Sequence, residues 1–241
     1  MIFRCTLLWA CACAASLQVN ASVLLDRSRV VLSAGETEAT VRVRNEEHGP
    51  VLVQAWINEL DGDALPEQAS SPFLVTPPLR RLDPDQSLSL RIRLLAMSTL
   101  PGDRESMYWL NVVDVPGEVP HAPEDPTVSI IVRSRIKLIY RPAALAAPLP
   151  KNAKALRWRL AEHAGKAVVV ITNPGPNYLN ISRAVADTAG ISTLLAIGPV
   201  RPLADTVVAA DSVDFANVRA LRFQWLDDSG MVHEELAALG H

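Results

Sequence analysis

Met107-Tyr108-Trp109-Leu110-Asn111-Val112-Val113-Asp114-Val115, followed after a short break by Val128-Ser129-Ile130-Ile131-Val132-Arg133-Ser134-Arg135-Ile136-Lys137-Leu138-Ile139-Tyr140, reads as a pair of β-strands. Apolar residues alternate with period two far more than they repeat at 3.6, which is the spacing of strands with two unlike faces. Outward from this pair the same reading gives candidate strands at 23–32, 38–45, 51–59, 73–76 and 87–95, with turn residues between them. Seven strands in roughly 120 residues suit an immunoglobulin-like sandwich. After Tyr140 the run Arg141-Pro142-Ala143-Ala144-Leu145-Ala146-Ala147-Pro148-Leu149-Pro150 breaks the alternation. Its prolines are stiff and remove ladder donors, so the domain boundary is expected there. Alternation resumes at 155–160, 167–172, 178–183, 206–209, 218–226 and 231–235, with turns at Asn173-Pro174-Gly175-Pro176-Asn177 and Asp227-Asp228-Ser229-Gly230, and predicts a second small sandwich.

The first 21 residues differ in kind. Arg4 is their only charge, an apolar run spans 5–15, and Val19-Asn20-Ala21 closes the segment with a small residue. This is the pattern of a secretory signal peptide cleaved before Ser22. A lipoprotein signal with Cys11 as the anchor is the competing reading. The apolar run is too short to span a bilayer, and no later stretch reaches the roughly 18 apolar residues a membrane helix needs. All three cysteines (Cys5, Cys11, Cys13) lie within the segment. The exported chain is therefore expected to have no disulfides, zinc-thiolate sites or thiol nucleophiles.

Twenty-three Lys plus Arg against 26 Asp plus Glu give a net charge of −3, which lacks the basic footprint of a nucleic-acid binder. Catalytic motifs are missing as well: there is no glycine-rich phosphate loop, no G-x-S-x-G elbow and no paired-histidine helix. The five histidines (His48, His121, His163, His233, His241) are scattered and read as exposed loop or turn residues, and acidic pairs such as Asp227 and Asp228 read as turn caps. A non-enzymatic protein without cofactor or metal is expected.

Three segments stand out: Leu100-Pro101-Gly102-Asp103-Arg104-Glu105-Ser106-Met107-Tyr108-Trp109-Leu110-Asn111-Val112, Ser134-Arg135-Ile136-Lys137-Leu138-Ile139-Tyr140-Arg141-Pro142, and Pro72-Phe73-Leu74-Val75-Thr76-Pro77-Pro78-Leu79-Arg80-Arg81-Leu82. Together with Asn173-Pro174-Gly175-Pro176 they resemble the PapD-like periplasmic chaperones that assemble pili by the chaperone-usher route. The likeness covers essentially the whole chain after the signal segment. It departs at Gly117, after Val115-Pro116, where that family usually has Pro, Ala or Ser.

The resemblance implies an all-β protein of two immunoglobulin-like sandwiches set as an L, with a cleft facing a pilus subunit. On this reading 22–143 is the first domain, 144–150 the hinge and 151–241 the second domain. It implies donor-strand complementation, in which Val128, Ile130 and Val132 enter an apolar groove of the subunit; periodicity alone leaves open that the three fill the protein's own core. Burying three aliphatic side chains contributes an upper figure of about 5–9 kcal/mol before ordering costs. Arg29 and Lys137 match the positions that hold the subunit's terminal carboxylate, a charge-assisted contact of about 1.5–3 kcal/mol whose main effect is to fix register. Lys137 differs in parity from the three aliphatics, so a bulge or strong twist is expected between them.

Glu105, Arg141 and Asp228 match a charge network tying the two domains together, with Asp227 as the alternative to Asp228. The short 116–128 segment resembles that of chaperones serving rod-like or composite pili. Implied partners are pilus subunits and an outer-membrane usher, and the exposed donor strand suggests a self-capping dimer when free. The alternative from another class is a secreted β-sandwich that binds ligands or surfaces through its loops.

Overall fold

The computed structural model describes residues 23–95, 99–117, 131–145, 153–188, 191–210 and 218–240. In the first half the strands are β1 (Val23–Leu25), β2 (Arg29–Ser33), β3 (Glu38–Asn45), β4 (Val51–Glu59), β5 (Phe73–Thr76), β6 (Leu79–Leu82), β7 (Ser87–Leu94), β8 (Ser106–Pro116) and β9 (Val132–Arg141). They form one sheet in the order β1-β3-β7-β5 and another in the order β2-β9-β8-β4-β6. The inward residues of both sheets make one core. Val41, Val43, Leu90 and Ile92 come from the first sheet, and Val30, Leu32, Val53, Leu110, Val112, Ile136, Leu138 and Tyr140 from the second. This is sheet-on-sheet packing with alternate residues buried.

The second half repeats the plan with β10 (Arg157–His163), β11 (Lys166–Asn173), β12 (Leu179–Thr188), β13 (Ile191–Leu195), β14 (Pro199–Val200), β15 (Ala204–Ala209), β16 (Val218–Leu226), β17 (Val232–Ala237) and β18 (Leu239–Gly240). Its sheets run β15-β11-β10-β18 and β13-β12-β16-β17, with β14 on β12. Trp158, Val169, Ile171, Phe223, Leu221 and Trp225 belong to a second, separate core.

Strands β6, β13, β14 and β18 lie outside the ranges expected from alternation, and two further features depart from the sequence-based expectation. The single strand expected over 23–32 is split: β1 pairs β3 in one sheet, while β2 pairs β9 in the other. Asp26-Arg27-Ser28 carries the chain across, and Asp26 Oδ1 accepts the Arg42 backbone N–H at 3.1 Å, fixing the crossing. Both strands have apolar inward residues, so alternation alone does not reveal the switch. The bulge expected before Lys137 is also missing from the described part of β9. Its register with β8 runs unbroken from Ser106↔Tyr140 to Asp114↔Val132. Lys137 and Val132 therefore lie on opposite faces of one regular strand.

Asp114, opposite Val132, faces inward and is fully buried, and neither carboxylate oxygen has a hydrogen-bond partner among the described residues. Burial raises its pKa above 3.8, opposed by its own backbone N–H and reinforced by Glu47. A carboxyl raised in the folded state supports the fold fully below its ordinary pKa and loses that support as pH rises. We expect Asp114→Asn to stabilise the protein at pH 7 by about 1–2 kcal/mol, with the gain shrinking towards pH 4. Thermal melts at both pH values test this; an unchanged or lowered midpoint at pH 7 refutes it.

Candidate functional site: the junction and the open edge of β9

Glu105 precedes β8 and is buried, with only 1% of its side chain exposed. A carboxylate there requires dedicated partners, because desolvation otherwise makes its charge costly. It has them on both sides of the junction. Oε1 accepts from Arg141 Nε at 2.6 Å and Asn177 Nδ2 at 3.0 Å, and Oε2 accepts from the Tyr178 backbone N–H at 2.7 Å. The Glu105 N–H in turn donates to the Pro176 carbonyl at 2.8 Å. The receiving turn is built locally: Asn173 Nδ2 donates to Asn177 O, and its Oδ1 accepts from Gly175 N.

Arg141 ends β9, and its planar fork reaches a second acid, Nη1 to Asp228 Oδ2 at 2.8 Å. Burial opposes the guanidinium's charge, but Asp228 and Glu105 outweigh it and hold its pKa above the ordinary arginine value. The structure thus brings Glu105, Arg141 and Asp228 together. Asp227 has a different place. Its Oδ1 accepts from Ser229 N, Met231 N and Ser229 Oγ, closing the β16–β17 turn, and its Oδ2 lies 2.8 Å from His233 Nε2. These contacts, His233 and Ser229 first, hold the Asp227 carboxyl well below the usual range. His233 is on strand β17, half-buried and stacked on Trp225 at 4.4 Å, not the exposed loop residue expected.

Arg29 and Lys137 are direct register partners on the parallel pair β2–β9, both on the face away from the first core. Arg29 Nη1 donates to the Asp227 carbonyl at 2.5 Å, while its Nε is buried and unpartnered. Lys137 Nζ lies 5.9 Å from the Trp109 ring centroid, and no acceptor among the described residues bonds it. Burial, then Arg29, pushes its pKa below 10.5. Among the described residues the pair is thus two adjacent cations, one charge held at a cost, without a carboxylate partner.

Ahead of Lys137, β9 is paired by β8 on one side, while among the described residues its other edge is open because β2 begins only at Arg29. Of the expected donor residues, Val132 lies on that stretch, half-buried on the same face as Ile136, Leu138 and Tyr140. Val128 and Ile130 fall outside the described residues, as does most of the hinge expected at 144–150.

The family described as "Pili and flagellar-assembly chaperone, PapD N-terminal domain" matches residues 22–146. The chain belongs to this family of pilus-assembly chaperones. It is 31% identical over 223 residues to the probable fimbrial chaperone YadV of Escherichia coli, covering 91% of this chain and 90% of that protein. It is 33% identical over 225 residues to the chaperone protein FimB/FhaD of Bordetella pertussis, covering 91% and 89%. Among solved structures, the Salmonella enterica SafA pilin in complex with the SafB chaperone matches with a TM-score of 0.75 and 29% identity over 90% of this chain and 96% of that chain.

Relative to this family frame, sequence reasoning missed the backbone partners of Glu105 and a second ion pair across the junction, Arg201 with Asp61. Nothing in the sequence links positions so far apart. Asp227 was legible as a turn cap, but not as the residue whose carbonyl meets Arg29.

We expect Arg141→Ala to leave both cores intact and to loosen the angle between the two halves, because it removes the Arg141–Asp228 contact across the junction and leaves Glu105 without its cation. An uncompensated buried carboxylate costs about 3 kcal/mol or somewhat more. X-ray scattering identical to wild type refutes the loosened junction.

Proposed function

We propose that the protein is a periplasmic chaperone that holds pilus subunits by donor-strand complementation and delivers them to an outer-membrane usher. The observation that carries this reading is the conjunction at Lys137: among the described residues an open strand edge ends beside two in-register cations without a bound acid. A strand laid on the edge gains ladder hydrogen bonds, and its terminal carboxylate meets Arg29 and Lys137. Family membership, the relatives named as fimbrial chaperones and the likeness to a chaperone bound to its pilin support the same reading. The secretory pattern of 1–21 supports export to the periplasm, and no helix among the described residues is long and apolar enough to cross a membrane.

In this reading Val128, Ile130 and Val132 supply the apolar contribution. Glu105, Arg141 and Asp228 keep the two domains, 22–143 and 151–241, at a fixed angle about the 144–150 hinge. The carboxylate anchor contributes less energy than the aliphatics, and its effect is register, because a one-residue slip exchanges the faces of the bound strand.

The test is a periplasmic pull-down of the tagged mature chain from its own host, beside Lys137→Ala. A small pilin-like subunit recovered with wild type and lost with the variant is the expected result. Equal recovery with both removes the anchor, and recovery of none while the subunit is expressed removes the chaperone reading. The free protein is further expected to cap its own edge as a weak dimer through Val128, Ile130 and Val132; sedimentation showing only monomer at high concentration refutes that.

A further inference from the structure

The face of β9 that carries Lys137 also carries Arg135 and Arg133, at every second residue. Their positions are fixed by packing and bonding. Arg133 Cζ stands 4.9 Å from the Trp56 centroid and Arg135 Cζ 4.7 Å from that of Trp109. Arg133 Nε and Nη2 both donate to Asn111 Oδ1, at 3.1 and 2.8 Å, and Asn111 Nδ2 donates to Asn58 Oδ1 at 2.5 Å. Arg135 Nη2 donates to the Gly62 carbonyl at 3.3 Å. With Arg29 beside Lys137, four cations line the open edge of the strand.

Among the described residues one acid is ion-paired to the arginines of this row. Asp63 Oδ1 lies 2.8 Å from Arg133 Nη1 and 3.6 Å from Arg135 Nη1, on a side chain that is 77% exposed. So exposed a carboxylate is weakly held and easily displaced.

We propose that this row is a docking strip for acidic side chains two residues apart on the subunit's carboxyl-terminal strand, with Asp63 as the resident carboxylate that gives way. The inference rests on the reading of the open edge given above. β2 runs parallel to β9 and starts opposite Lys137. A guest strand that occupies the vacant part of the same edge, in line with β2, brings its final carboxylate to Arg29 and Lys137. Every second side chain then lies on the face of Arg135 and Arg133, within cross-strand reach. The remaining side chains face the other way, towards the side of Val132. Acidic residues in one parity are therefore selected, and in the other they gain nothing.

The probes are fluorescent peptides of a dozen Thr, Val and Ala residues with a free terminal carboxylate. One carries Glu at the second and fourth positions from the end, one at the third and fifth, and one carries Gln throughout those positions. One Glu register is expected to bind about fivefold more tightly than the Gln peptide, the sum of two surface ion pairs. That advantage disappears in Arg133→Gln/Arg135→Gln and in high salt, and grows in Asp63→Asn, an exposed change that leaves the fold alone. Equal binding of all three peptides overturns the strip, as does an equal gain for both Glu registers, which is mere long-range attraction. Binding of none of them overturns it too. Amidating the peptide terminus separates the two ideas: weakening of all three supports the carboxylate anchor, and a surviving register preference without that weakening sinks the anchor while the strip stands.

Discussion

The buried carboxylate of Glu105 constrains the rest of the structure. A charge out of water must be matched by donors, and this one is matched from both halves: Arg141 from the first, Asn177 and the Tyr178 N–H from the second. Because the donors belong to different halves, satisfying Glu105 and fixing the relation of the halves are the same event. Asp228 adds a more exposed contact to the same guanidinium, one that restrains direction more than it adds energy. The Asp227 turn next to it sends its carbonyl to Arg29, so the arrangement that joins the halves also positions that guanidinium beside Lys137.

β9 carries the other half of the logic, through its parity. Even-numbered residues from Ile136 to Tyr140 fill the first core, and Val132 extends that face towards the open end. Odd-numbered residues place Arg133, Arg135, Lys137 and Arg141 on the other face, where they meet tryptophan rings, asparagines and Glu105. The parity difference between Lys137 and Val132 therefore needs no irregularity. One regular strand gives an apolar side, which continues its own core, and a cationic side, which handles charge.

Much of this was legible in sequence because period two survives in strands whose inner face is apolar. β3, β4, β5 and β16 fall where alternation places them. The switch between β1 and β2 was not legible, since both sheets face one core and a crossing leaves the pattern unbroken. For the site, resemblance gave positions while the structure gave partners. Asp227 and Asp228 are adjacent and chemically identical, and only the turn geometry separates a backbone cap from an ion-pair partner. The Arg201–Asp61 pair and the rings beneath the arginines depend on tertiary placement alone.

Among the described residues an open strand edge ends beside two cations that no carboxylate pairs, and each feature carries a cost. Edge strands invite unwanted pairing, and burial of Lys137 beside Arg29 works against its charge. Both costs are removed together by one kind of ligand, an extended segment ending in a carboxylate. On that reading the strand hydrogen bonds complete the edge, and the terminal charge offsets the cost of burying the ammonium. An internal acidic side chain or a free carboxylate does only the second, and an amidated strand only the first. On the proposed reading, the pairing of the two features at one point of β9 favours a chain terminus over an internal carboxylate.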